Sequence, residues 1–500
     1  MEKQKKNGKA HLLKGVFLLC VFTFLMIFFF EYNPLTVNNM DDWTYVAFRR
    51  AAVPSVNQWN PARVLPEILM PACAQLAVWL VLPVTGNYLM SLTIVFNTVL
   101  ALFATLYIAM FVRLLMNLMN ADEPMAVLLS ALFFVFHIRC WMSPWIPSQH
   151  MFYSPSLTTA FYYTIPSLLN IILVLLLDSR REGDAVCSAE HPIVNGMLIL
   201  LLYLAVFSNL YCSIILAVYC GVHAAWGFVK KLAKKTPFAA WAKEYGLHLC
   251  VLAAWFVSMG FELTGNRAGS LKTSTPLLDR LKQTVSVLLL EIERMEDTVF
   301  YLTLLMIAAG LVLVAVSRCR KEKDKAYAVV MLRYLCCAVL SLVYLILLSA
   351  MTNQGYIARK DVLIGPVFFV FAAAFCSLAY LIEKCSHITL AVPIVTFIMA
   401  FDVLLGINTF AVSNALMLPQ KTCIAITESF VEKVLEADRA GLSEVTISVP
   451  RGSEAYGNWP YTHDMGLRMV TALESHRMIE HVKYISVEID DQFFDHFSEN

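Results

Sequence analysis

The sequence predicts an all-α polytopic membrane bundle with a small α/β extracytoplasmic domain at its C-terminal end. Three observations predict it. Of the 500 residues, 59% are hydrophobic and only 15% charged, with mean hydropathy +0.65, whereas a soluble domain carries about a quarter charged residues. The apolar residues come in long blocks, not in amphipathic periods. Past about residue 418 the blocks stop, and short periodic segments rich in charge take over.

A run of ~20 apolar residues spans the hydrocarbon core at ~1.5 Å per residue. In lipid such a run has to satisfy its own backbone polar groups, so it is a helix. Runs of this kind recur at about 11–30, 88–112, 125–140, 157–177, 193–208, 210–229, 246–262, 298–317, 327–350, 361–382 and 388–412, which gives about 11 transmembrane helices. The first follows a basic stretch (Lys3, Lys5, Lys6, Lys9, Lys14). It is too long for a signal-peptide core and lacks a small-residue cleavage site, so it reads as an uncleaved first helix.

Basic residues orient the runs, because cytoplasmic loops carry the excess of Lys and Arg. The N-terminus, Arg113, Arg180 with Arg181, Lys230–Lys243, Arg318–Lys325 and Lys384 all fall on one side if each run crosses once. This parity makes the protein a multi-pass cell-membrane protein with a cytoplasmic N-terminus and an extracytoplasmic C-terminal domain. It also requires the apolar stretch Leu65–Pro83, with Pro66, Pro71 and Pro83, to lie at the outer surface as interfacial helices. The division is then a bundle over 1–417, with outward loops 31–87 and 262–298, and a domain over 418–500. Trp141–Thr164 and Met351–Asp361 face outward as well.

In the C-terminal domain, Thr427–Arg439 reads as an amphipathic helix stopping at Gly441. Val445–Val449 alternates as a strand does, Met465–Glu474 is helical, and Tyr484–Ile489 is a second strand. A unit this short holds no large core of its own, so it docks on the bundle.

Several function classes are excluded. The net charge is +1, and no basic tract carries the interleaved aromatics of a nucleic-acid surface. The 13 cysteines lie mostly inside apolar runs, where Cys acts as a small hydrophobe, and no CxxC pair occurs. His137 and His150 lack a partner at metal-ligand spacing. No Gly-rich nucleotide fingerprint appears.

The most informative stretch is Asn38-Asn39-Met40-Asp41-Asp42-Trp43-Thr44-Tyr45. Asp41 or Asp42, just past the first helix, could act as a general base on an acceptor hydroxyl. Neighbouring helical positions point ~100° apart, so the two do not share one atom unless a turn or metal gathers them. The plainer alternative is a capping pair opening an interfacial helix at Trp43. Arg63, Arg267, Arg359 and Lys360 are outward basic residues close to the membrane, contrary to the charge rule. An outward Arg can hold a phosphate bidentately, or simply contact headgroups. Asn266 adjoins Arg267, and Tyr356 precedes Arg359. Trp141, Trp145, Tyr153, Phe161, Tyr162 and Tyr163 offer stacking faces for a sugar or an interfacial aromatic belt. Asp402, inside the last run, is an intramembrane carboxylate of the kind that marks a pathway, with Asn408 near it in sequence.

This order of features resembles the GT-C superfamily of membrane glycosyltransferases: a basic tail, one span, an outward loop with an acidic pair and surface helices, a many-span bundle and a small outward C-terminal domain. Asn38–Tyr45, Trp59–Arg63 and Gly265-Asn266-Arg267 are similar to bacterial polytopic proteins related to it. The resemblance implies transfer of a sugar from a polyprenyl-phosphate carrier to a glycan, lipid or protein acceptor. It also implies a catalytic carboxylate at Asp41 or Asp42, and outer-loop arginines on the lipid-linked phosphate. The chain departs from better-known members in lacking a long acceptor-recognition signature and in its small C-terminal domain. The acceptor and any assisting divalent ion stay open on this reading. The alternatives are a transporter or flippase of lipid-linked saccharides, and a scaffold whose tail binds a partner.

Overall fold

The computed structural model describes residues 2–38, 40–47, 62–119, 123–179, 191–264, 275–320, 326–410, 420–451 and 464–497. The described chain is predominantly helical, and ten of its helices are long and apolar enough to cross a membrane. In chain order α1 (Leu12–Tyr32) is followed by the short α2 (Met40–Ala47) and by α3 (Val64–Thr85). Then come α4 (Tyr88–Leu118), α5 (Glu123–Arg139), α6 (Leu157–Asp178) and α7 (Pro192–Val206). They are followed by α8 (Leu210–Ala233), the short α9 (Phe238–Glu244) and α10 (Gly246–Thr264). The amphipathic α11 (Leu277–Glu293) precedes α12 (Asp297–Cys319), α13 (Ala326–Met351), α14 (Lys360–Lys384) and α15 (Ser386–Leu405).

Polar caps set several helix starts. The side chains of Asn87, Asn209 and Glu296 accept from Met90, Tyr211 and Val299 backbone N–H groups, and Ser156 forms a capping box with Thr159. Each satisfies a donor that the first helical turn leaves orphaned.

Contacts fix the direction of each helix. At one end of the bundle the backbone N–H of Lys14 on α1 donates to Glu123 at the start of α5, at 3.3 Å. The chain leaves α1 at the opposite end, where Leu35 N–H meets Asn97 of α4 at 2.9 Å and Thr93 bonds Thr36. α4 runs back to the first end, where Asn117 reaches the Ser179 carbonyl just past α6. With α1 and α4 antiparallel, whatever connects them begins and ends at the far end. α3 obeys this. Its first residue bonds Phe207 by backbone at 2.8 Å, and its last, Thr85, bonds Ser91. Although 22 residues are long enough to cross, α3 stays at one end as a single helix through Pro71, widened by a π turn at Ala77–Val81.

With α3 set aside and the shorter α5 and α7 included, eleven of the described helices run from end to end. Lys14, Arg113, Lys230, Lys231, Lys234, Arg318 and Lys384 gather towards the first end, hereafter the basic end; Arg180, Arg181 and Lys321 to Lys325 lie outside the described residues. α6 and α14 are the most enclosed helices. A Cβ on Gly310 or Gly365 would overlap Ser377 or Ile215, so α12 and α8 approach α14 this closely only because those positions lack one.

The C-terminal unit is α16 (Gln420–Arg439), β1 (Glu444–Pro450), α17 (Met465–Ser475), β2 (Tyr484–Asp490) and α18 (Phe493–Phe497). The strands pair in parallel, Val445 opposite Ile485 and Val449 opposite Ile489. Parallel pairing needs a crossover, and α17 lies within it. Gly441, at φ +73°, takes the left-handed conformation that ends α16. The unit is tied to the far end of the bundle: α17 packs on α2, Tyr88 meets His476 Nδ1 at 2.7 Å, and Asn87 donates to Glu428 at 3.0 Å.

This connectivity predicts a labelling pattern. In a cysteine-free background, Asp41→Cys and Val84→Cys react with an impermeant maleimide from one side of the membrane and Lys234→Cys from the other. Opposite reactivity at positions 41 and 84 would mean that α3 crosses.

Candidate functional site

At the far end the two acidic neighbours part company. Asp42 is fully buried. Its Oδ1 accepts from the backbone N–H and hydroxyl of Thr158, at 2.8 and 2.6 Å, and its Oδ2 from the Asn38 N–H at 3.1 Å. The carboxylate therefore pins α2 to the start of α6, with Trp43 and Val46 wholly buried beside it. Asp41 is exposed on the other face of the same turn. The ~100° step of the helix separates them.

One turn on, Tyr45 faces Tyr162 with ring centroids 4.9 Å apart. The Tyr162 hydroxyl donates to Glu67 Oε1 of α3 at 3.2 Å. Arg63, held at φ 59° immediately before α3, pairs with Glu262 of α10 at 3.2 and 3.4 Å. Both partners keep nearly a fifth of their side-chain surface exposed. From Glu67 a groove of about 450 Å³ runs along α3 past Ile68, Pro71, Ala72, Gln75 and Leu76 to Trp79.

The π turn Ala160–Thr164 sends the adjacent Tyr162 and Tyr163 to different clusters. Tyr163 packs at 4.2 Å under the guanidinium of Arg359, and Tyr356 lies at 5.3 Å from it. Arg359 also forks onto Asp361, at 3.0 and 2.6 Å. Burial works against its charge, but the Asp361 carboxylate, with its hydrogen bonds, outweighs burial and raises the Arg359 pKa above its ordinary value. Tyr211 links this cluster to Thr352 at 2.5 Å. Lys360, next to Arg359 at the same end, is buried, ion-paired to buried Glu291, and lies 5.1 Å from the Trp141 ring.

The structure thus brings Asp41, Asp42, Arg63, Tyr356 and Arg359 to one end of the bundle, joined through residues 158–163. Asn266 and Arg267 lie outside the described residues. Asp402 pairs with Arg139 at 2.6 Å, and Arg139 with Glu296 at 2.9 Å, also at this end. His137 is a satisfied core residue, bonded to Tyr107 and the Phe133 carbonyl at 2.7 and 2.6 Å. His150 is wholly buried against Phe28, and burial lowers its pKa to about 3, so its ring is neutral. Among the described residues no group of three His, Cys, Asp or Glu side chains could hold a metal.

Sequence reasoning missed Glu67 and Glu262. Glu67 had a readable signal, a carboxylate inside an apolar stretch. Glu262 had only its position at the end of a run, 199 residues from its partner.

Comparisons with protein-family models, curated proteins and solved structures return no match.

The split of the acidic pair makes a stability prediction. Asp42→Asn puts amide hydrogens against groups that already donate, and lowers unfolding stability in detergent by about 1–3 kcal/mol. Asp41→Asn changes it by less than about 0.5 kcal/mol. Equal losses in the two variants would contradict the assignment of Asp42 as the joint.

Proposed function

We propose that the protein is a glycosyltransferase that moves a sugar from a polyprenyl-phosphate donor to a cell-envelope acceptor at the outer face of the membrane. One observation carries the reading. Glu67 of the Tyr45–Tyr162–Glu67 cluster opens an apolar groove on a helix that stays at one end of the bundle, the Arg63 guanidinium stands four residues before it, and exposed Asp41 sits one turn before Tyr45 on α2. A phosphate with a hydrocarbon tail needs that juxtaposition: a cation for its head and a hydrocarbon surface for its tail.

In this mechanism Asp41 takes the proton of the acceptor hydroxyl as that oxygen attacks the anomeric carbon. The bond from that carbon to the phosphate oxygen breaks, and polyprenyl phosphate leaves with the bonding pair. Arg63 stabilises the charge growing on the phosphate, exchanging Glu262 for it. Asp42 holds α2 in place and does not take the proton, because its lone pairs are engaged by Thr158 and Asn38. Arg359 and Lys360 brace the surrounding loops. Arg267, assigned from the sequence alone, is a second phosphate ligand in this mechanism. The transport reading leaned on Asp402, whose pairing with Arg139 gives it a structural partner.

The test uses a radiolabelled polyprenyl-phosphate sugar and membranes holding each variant. Asp41→Asn reduces kcat by about 100-fold or more, the usual loss for a general base. Arg63→Gln weakens turnover by about tenfold or more. Full transfer by Asp41→Asn removes the mechanism. Movement of the labelled lipid across proteoliposomes without product would favour the transporter.

A further inference from the structure

The bundle holds a second cluster of ionisable groups, towards the basic end. Arg333 of α13 donates to Asp178 Oδ1 at the end of α6, at 2.8 Å. Tyr334 donates to Asp178 Oδ2 at 2.9 Å and Tyr219 of α8 to Oδ1 at 3.2 Å. The Arg333 and Asp178 side chains are only 11% and 2% exposed. The other amino group of Arg333 meets Nδ1 of His223 on α8, and the His223 ring stacks on His248 of α10 with centroids 4.9 Å apart.

The chemistry of these groups fixes a proton inventory. A guanidinium has donors and no acceptor, so His223 Nδ1 has to accept, and its ring is neutral with hydrogen on Nε2. A second proton would set an N–H against an N–H. Among the described residues the other groups facing His223 are Tyr219, which stacks on its ring, and Lys230, both of its own helix, Asp178 of α6, and Tyr245 and His248 at the start of α10. Asp178 is the one carboxylate among them, and both its oxygens already serve Arg333, Tyr334 and Tyr219. An added proton therefore leaves a net positive charge in an apolar bundle, where such charge is costly.

We infer that this cluster is a proton-binding latch: a proton taken up by His223 separates α8 from α13 at the basic end. The same helices hold the groups of the far end. α8 and α13 meet again through Tyr211 and Thr352. Trp255 of α10 donates to Ser213 of α8 at 3.1 Å, and α10 ends in Glu262, the partner of Arg63. Acid at the basic end therefore loosens the far end. The latch acts whether the far end does chemistry or transport.

The sign follows from the inventory. The folded state keeps His223 unprotonated, so the latch is closed above the ordinary imidazole range and opens as pH falls through it. The test is hydrogen exchange of the full-length protein in lipid nanodiscs at about pH 7.5 and 5.5, corrected for intrinsic rates. Peptides covering 215–228 and 328–340 exchange roughly tenfold faster at the lower pH, with the fold-change set by the extra proton bound on opening. Peptides of α4 and α5 do not change. His223→Gln, which offers an oxygen to Arg333 but takes no proton, exchanges slowly at both pH values. A wild-type protein with no acid-induced change, one with a uniform change, or a His223→Gln variant that keeps the full change would each overturn the latch; the wild-type measurement decides alone if the variant does not fold.

Discussion

The far end of this bundle is assembled on one carboxylate. Asp42 reaches from the first turn of α2 to the first turn of α6, accepts two hydrogen bonds from Thr158 there and a third from Asn38, and has no exposed surface. A buried carboxylate is tolerated only when donors replace its water, so this joint has little freedom. It fixes the rotation of α2, which turns Tyr45 over Tyr162 and leaves Asp41 in the open. It also fixes the face of α2 on which α17 packs, and so anchors the C-terminal unit. The plain capping alternative for the acidic pair thus describes Asp42 in part. Its cap spans 116 residues of sequence, where a local one spans three.

The architecture was legible because lipid leaves few options. Long apolar runs have to be helices, and the parity of the basic loops leads to the expectation that 65–83 does not cross. The antiparallel course of α1 and α4 supplies an independent geometric reason for that reading of α3. Both strands and α17 fall within a residue of their predicted bounds, and Gly441 stops α16 as expected, but α16 begins at Gln420, seven residues before the predicted Thr427.

The pairing of charges was not legible. On the sequence alone the basic residues near the far end can hold a phosphate or contact headgroups, yet each described one has a carboxylate: Arg63 has Glu262, Arg359 has Asp361, Lys360 has Glu291. Only Asp361 is close in sequence. Long-range pairing of this kind follows from helix packing, which no periodicity encodes. Arg333 is the opposite case. A charged residue inside an apolar run is a readable signal, and it was weighed for Asp402 but not for Arg333.

The two arginines of the far end differ in a way that decides which of them can meet an anion. Arg359 is forked onto Asp361, whose side chain is 1% exposed, and is sandwiched by two tyrosines. An incoming phosphate would have to leave that buried carboxylate without a partner, which costs more than the new contact returns. Arg63 and Glu262 are both partly open to solvent. If Arg63 turns away, water solvates Glu262, and a pair of this exposure holds by little. Arg63 is therefore the cation that can be exchanged, and it stands where the groove along α3 begins. Of the described cations named here, the one whose partner water can solvate is the one beside a hydrocarbon surface.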